Sequence, residues 1–115
     1  MRSDKPNIIV EKTFKFAVQI TDFTEMLETN GKRNMANQLF RSGTSVGANV
    51  REAQNAESKA DFIHKMKLAA KEADETKFWL ELCEASKHYP NPGDTLTEIS
   101  EIEKILSKII SSSKK

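Results

Sequence analysis

The residues of this chain that could do chemistry form a polar stripe near its middle. At helical spacing the stripe contains Arg41, Ser45, Asn49 and Glu52, with Ser42 beside it. Residues three or four apart share one face of a helix, so charged groups would end the stripe and hydroxyl and amide groups would lie between them. One interpretation is an internal hydrogen-bond network that fixes the register of neighbouring helices. The other is a subunit interface or a wall that faces a ligand.

Two glycines, Gly43 and Gly47, lie one helical turn apart beside this stripe, where a plain helical bundle would carry leucine. Each glycine destabilises a helix interior by roughly 1 kcal/mol relative to alanine, so the pair requires a compensating gain. We expect a neighbouring helix to pack closely against the backbone at these two positions. A kink or a local break of the helix is the alternative.

Other residues with catalytic or metal-binding potential lack the partners that such chemistry needs. His64 and His88 are not part of an HxxxH or ExxH pair, so neither is expected to hold a metal. Nothing in the sequence brings Glu52, Glu72 and Glu75 together for acid–base catalysis. The run GTSVG lacks the lysine and the preceding strand of a phosphate-binding loop. We therefore predict that the chain is not an enzyme and uses no cofactor or metal.

Length and charge limit the classes of function. A chain of 115 residues is the size of one domain, and we expect a single domain over 1–115. The formal net charge is +1, without the basic excess that is typical of nucleic-acid-binding domains. Any nucleic-acid contact would therefore come from a local patch, or from a patch that symmetry repeats. The candidate contacts are Lys32, Arg33, Arg51 and Lys59.

Cysteine content and hydropathy bear on location. The single cysteine, Cys83, excludes an intrachain disulfide, and its place among apolar residues at helical spacing predicts a small core residue. No apolar run approaches the roughly 20 residues of a membrane span. The first residues carry charges among their apolar positions, unlike a secretory signal. We expect a cytoplasmic protein with no membrane contact.

The elements that must position these residues are four helices. Apolar or small residues recur at alternating steps of four and three, and the longest series lies at 62, 66, 69, 73, 76, 80 and 83. Asn30-Gly31 and the stretch 89–94 are helix breakers, and Pro6 suits the lead-in of the first helix. The predicted helices span about 8–29, 33–56, 59–88 and 95–111. No strand pattern competes, so we predict an all-α fold, an antiparallel up-down four-helix bundle.

Two segments also give the chain a family resemblance. FKFAVQI, followed by NQLFRSGTSVGANVREAQNAESKADFIHKMKLAAKEADETKFWLEL, closely resembles the bacterial four-helix-bundle protein family. That family is also called the 23S rRNA intervening-sequence protein family, because some members are encoded within intervening sequences of large-subunit ribosomal RNA genes. The resemblance covers about residues 10–110.

This resemblance implies an antiparallel four-helix bundle that assembles as a homopentameric ring and has no enzymatic activity. The accessory proteins of diversity-generating retroelements are similar; they have a basic surface and bind nucleic acid and a reverse transcriptase. The near-neutral charge of this chain departs from that pattern. The polar stripe of Arg41, Ser45, Asn49 and Glu52 matches recurrent family positions, which implies a role in assembly or in an internal polar network.

We therefore expect a non-enzymatic, self-assembling scaffold that binds structured RNA or a ribonucleoprotein. The alternative is a protein–protein adaptor with no nucleic-acid role, which the near-neutral charge favours.

Overall fold

Four helices in sequence order form the fold, as the hydrophobic pattern predicts. The computed structural model describes residues 7–114, and the predicted lead-in at Pro6 lies outside them. The helices are α1 (Ile8–Thr29), α2 (Arg33–Ala53), α3 (Lys59–Ala85) and α4 (Thr95–Ser113). Successive helices pack against each other and α1 also contacts α4, within an elongated body of 45 × 22 × 21 Å. The predicted all-α, up-down four-helix bundle is confirmed.

Side-chain caps and a left-handed glycine set two of the helix boundaries. Ser58 Oγ accepts a hydrogen bond from the backbone N–H of Asp61 at 3.0 Å. The Asp61 carboxylate in turn accepts a hydrogen bond from the backbone N–H of Glu57 at 3.3 Å. These two side chains therefore satisfy backbone N–H groups on either side of the first turn of α3. In the turn after α1, Gly31 has a φ of 78°, which glycine adopts without steric strain.

Two helices end earlier than the hydrophobic pattern predicts. The prediction extended α2 to 56, but α2 ends at Ala53 because the next three N–H groups bond to carbonyls three residues back and tighten the chain into a turn. The prediction extended α3 to 88, but Ser86 turns to an extended conformation with ψ of 136°, so that α3 ends at Ala85. In contrast, α4 continues past 111 to Ser113.

The core lies along the shared axis of the four helices and draws on each of them. Its largest fully buried side chains include Phe16, Ile20, Leu27, Leu39, Met66, Leu80, Ile99, Ile102 and Leu106. Among residues 7–114, no helix has the length and apolar character that crossing a bilayer would require.

The two helical glycines lie where α1 packs on α2. A Cβ atom added to Gly43 would lie 2.8 Å from Cγ2 of Ile20, a fully buried side chain. At Gly47 an added Cβ would lie 3.2 Å from the backbone carbonyl oxygen of Thr13. Both positions are helical, so their lack of a side chain matters for helix contact rather than for backbone conformation.

Burial of Cys83 should make its thiol slow to react in the folded chain. Desolvation raises the pKa of its thiol to about 11, and the thiolate is the reactive form. We expect a thiol reagent at pH 8 to label the folded chain far more slowly than the chain in guanidinium chloride, as measured by absorbance of the released chromophore. Equal labelling rates in the two conditions would show that the thiol is accessible.

The same thiol should make stability depend on pH. Between its ordinary pKa of 9.0 and the raised value of about 11, the unfolded chain loses a proton that the folded chain retains. The unfolded state therefore binds fewer protons, and the free energy of unfolding falls as pH rises through this range. A Cys83→Ala variant, which lacks the group, should show a flatter dependence in urea titrations.

Candidate functional site

The charged end of the polar stripe at Arg41 reaches across to α3. Its guanidinium pairs with the carboxylate of Glu75, and Nη1 lies 3.4 Å from Oε1 of Glu72. Glu75 also accepts a hydrogen bond from the indole Nε1 of Trp79 at 3.1 Å. Arg41, Glu75 and Trp79 therefore form one connected polar cluster on the outer side of the α2–α3 contact.

The other charged end of the stripe also pairs with α3. Lys65 Nζ lies 2.9 Å from Oε1 of Glu52, and the hydrogen bond and negative charge of that carboxylate raise the pKa of Lys65. Arg41 and Glu52 thus bind separate partners, so that the stripe is attached to α3 at both ends. Exposed pairs of this kind contribute little to stability, but they add to the contacts that align α2 with α3.

The middle of the stripe bonds within α2 instead. Ser45 Oγ donates to the carbonyl of Arg41 at 2.6 Å, and Asn49 Nδ2 donates to the carbonyl of Ser45 at 2.9 Å. Back-bonding of this kind satisfies polar side chains on a helix without crossing to a neighbour. The structure therefore places all four predicted residues on one face, but only the two charged ones bridge helices.

A buried hydroxyl pair adds a contact between α2 and α3 that sequence reasoning missed. Thr76 Oγ1 lies 2.9 Å from Ser42 Oγ and 2.7 Å from the carbonyl oxygen of Glu72. Both hydroxyl side chains are fully buried. Because buried polar groups are costly unless paired, this pair favours one alignment of the two helices.

The sequence does contain a signal for these α3 partners. Two antiparallel helices joined by a short turn bring together residues that lie equally far from it, and Arg41 and Glu75 are equidistant from Ser58. Glu72 and Glu75 are not freely solvated surface charges, since both are half-buried against α2. They meet a common arginine rather than forming an acid–base pair.

A surface groove between α1 and α2 lies on the other side of α2. The α1/α2 groove is lined by Val10, Phe14, Ala17, Gly47, Ala48 and Arg51, among others, and has a volume of about 360 Å³. Arg51 lies over the ring of Phe14, with its guanidinium carbon 5.6 Å from the ring centroid. Phe14 is nevertheless 56% exposed. The groove is therefore an open, mainly apolar surface with one arginine and one glutamate, Glu52, at its edge.

A second apolar surface lies on the outer side of α3. Phe78 and Leu82, one helical turn apart, are 53% and 41% exposed. Asp74 and Glu81 lie on the same face, one turn before and after Phe78. We call these four residues the α3 ridge. Phe78 packs edge-on against Trp79, with ring centroids 5.2 Å apart, so the polar cluster of Arg41, Glu75 and Trp79 adjoins the ridge.

The four candidate nucleic-acid contacts do not form one patch in a single chain. Lys32 and Arg33 lie at the start of α2, whereas Arg51 lies in its last turn and Lys59 begins α3. A helix the length of α2 separates the two groups by roughly 30 Å. Lys32 Nζ lies 4.9 Å from the ring centroid of Tyr89, which fixes this amine near the end of the bundle.

No metal-binding arrangement accompanies these surfaces in the part of the chain that the structure describes. Within residues 7–114 no group of three or more histidine, cysteine, aspartate or glutamate side chains is placed to hold a metal ion. His64 and His88 are both exposed.

Comparison with known proteins identifies relatives. The family described as "23S rRNA-intervening sequence protein" matches residues 5–110 of this chain. A crystal structure of a protein of unknown function from the S23 ribosomal protein family of Bacteroides thetaiotaomicron is similar over most of this chain. That protein is 41% identical, the match covers 89% of this chain and 97% of that one, and the TM-score is 0.84. No curated protein matches the chain.

Proposed function

Because this chain belongs to the 23S rRNA-intervening sequence protein family, we propose that it is a non-enzymatic scaffold whose copies assemble into a ring. In this proposal the ring is a homopentamer that works in the cytoplasm and binds structured RNA or a ribonucleoprotein. The main support for assembly is the apolar surface that the bundle leaves exposed.

Exposed apolar residues favour assembly. A monomeric soluble protein rarely exposes contiguous apolar patches of more than a few hundred Å², yet several helices here carry large apolar side chains on their outer faces. The exposed set comprises Ile8, Phe14, Val18, Met26, Phe40, Phe78 and Leu82. Four of these occur as pairs one helical turn apart, which are Phe14 with Val18 and Phe78 with Leu82. Paired residues of this kind form stripes that a second helix can cover.

The RNA part of the proposal has two supports. The family is described by its link to 23S rRNA, and each copy carries two groups of basic residues at opposite ends of α2. In a ring, each group would recur once per copy around one end of the assembly. Repetition can raise the local field even when each chain has a net charge of only +1.

RNA binding predicts a specific dependence on salt. In gel shifts with structured fragments of large-subunit ribosomal RNA, the dissociation constant should rise as salt increases, because phosphate contacts release counterions. A Lys32→Glu/Arg33→Glu variant should bind more weakly and with a shallower salt slope. The matched control is Lys104→Glu/Lys108→Glu, which makes the same charge change at exposed positions of α4. Absence of binding at low salt would exclude the RNA role.

A protein–protein adaptor is the second candidate function. The near-neutral charge and the separation of the two basic groups along α2 favour it. Capture of the same protein partner from a nuclease-treated lysate and from an untreated one would support this role. Loss of that partner after nuclease treatment would instead support the RNA-dependent scaffold.

A further inference from the structure

We infer that the α1/α2 groove is the docking site for the α3 ridge of a second copy of this chain. The two surfaces would join head to tail, the groove of one copy receiving Phe78 and Leu82 of the next. This inference rests on the proposed assembly and specifies which surfaces form it.

Shape favours this pairing. The groove is concave and its apolar walls come from Val10, Phe14 and Ala17 on one side and Ala48 on the other. Gly47 contributes no side chain, which keeps the floor open. The ridge is a single convex helix face whose aromatic ring stands 53% exposed. An aromatic side chain entering a pocket of small and apolar residues is the usual form of an interface anchor.

Charge favours it as well. The groove carries the guanidinium of Arg51, and the ridge carries the carboxylates of Asp74 and Glu81 on either side of Phe78. The carboxylate of Glu52 also lines the groove, but it is already paired with Lys65. Within residues 7–114, Arg51, Asp74 and Glu81 form no intrachain ion pair. Docking would therefore bring an arginine without a carboxylate partner next to carboxylates without a cationic partner, and complementary charges of this kind set register and orientation. Arg51 would then serve assembly, and the RNA contacts of the proposed function would rest mainly on the group at Lys32 and Arg33.

The ridge is also held in place before docking. Trp79 packs against the Phe78 ring, and its indole is hydrogen-bonded to Glu75, which Arg41 pairs from α2. A side chain fixed by such contacts loses less conformational entropy when it binds. The polar stripe thus supports the ridge, which gives Arg41 a role in assembly without direct contact with the partner.

A head-to-tail contact has a consequence for assembly. Groove packed on groove would bring together two concave surfaces that both carry Arg51, whereas groove and ridge differ in shape and charge. A head-to-tail pair keeps one unused ridge on one copy and one unused groove on the other, so addition continues until the rotation closes a ring.

Three matched substitutions test the pairing on the full chain. Phe14→Glu disables the groove and Phe78→Glu disables the ridge, while Met26→Glu places the same charge at a third apolar position that is 48% exposed and belongs to neither surface. Circular dichroism would confirm that all three retain their helices. In sedimentation velocity we expect the first two variants to be monomers and the Met26→Glu variant to keep the wild-type mass.

Mixing the two disabled variants is the decisive step. The intact groove of Phe78→Glu should receive the intact ridge of Phe14→Glu, giving a heterodimer of about twice the monomer mass that cannot grow further. A mixture that stays monomeric would overturn the head-to-tail pairing, as would wild-type assembly by either variant alone. A monomeric wild-type chain would instead overturn the proposed assembly itself.

Discussion

Replacing Gly43 with leucine is expected to lower the free energy of unfolding by at least about 3 kcal/mol, at the upper end of overpacking effects. The first carbon of the new side chain would already lie 2.8 Å from Cγ2 and 2.9 Å from Cγ1 of Ile20. Ile20 is fully buried, so it cannot turn into solvent, and α1 must move away from α2. Urea denaturation followed by circular dichroism would measure the loss.

Two further substitutions on α2 test whether the loss of stability comes from overpacking between α1 and α2. Gly47→Leu should also destabilise the bundle, because its Cβ would meet the backbone oxygen of Thr13 at 3.2 Å, and a backbone atom cannot rotate away. Asn37→Leu, at an exposed position of the same helix, is the control and should leave the melting temperature nearly unchanged. A Gly43→Leu variant with wild-type stability would show that α1 does not depend on close approach at this point.

Removing the hydroxyl of Thr76 is expected to have the second-largest effect. Thr76→Val keeps the shape but leaves the buried Ser42 hydroxyl without its partner on α3, which should cost about 1–3 kcal/mol of unfolding free energy. Urea titrations of the single variants Thr76→Val and Ser42→Ala, and of the double variant, would give the coupling between the two side chains.

The double variant shows whether the Ser42 and Thr76 hydroxyls stabilise each other or contribute to stability independently. Because the penalty arises from one unpaired hydroxyl, the double variant should lose less stability than the two single losses added together. Strict additivity would mean that the two hydroxyls do not stabilise each other, and that they do not hold α2 in register with α3.

Sequence periodicity was sufficient for the helices because burial repeats with the helical turn. The series from Met66 to Cys83 is buried along α3 as its spacing predicts, and the resemblance carried by the segment around Gly43 and Gly47 agrees with the family match over residues 5–110. Local hydrogen bonds decided the helix ends instead. The bonds that close α2 after Ala53 involve the backbone alone, and no side-chain pattern reports them.

The candidate surfaces were harder to predict, because hydrophobic spacing does not distinguish residues buried in folding from residues left for a partner. Phe40 continues the apolar pattern of α2, yet its side chain is exposed. Phe78 lies on the opposite side of α3 from the buried series and has the same chemistry as a core residue. Distance from the α2–α3 turn could have suggested that Arg41 meets Glu75, but only the packing showed that Glu75 also accepts a hydrogen bond from Trp79.

The most direct test is the mass of the unmodified, full-length chain in solution, measured by sedimentation velocity over a range of concentrations. We expect one discrete species with the mass of several copies, five by the family resemblance. A finite head-to-tail assembly occupies every groove and every ridge only when it closes into a ring. A species with the mass of one chain at every concentration would contradict the proposal that the exposed apolar faces serve assembly.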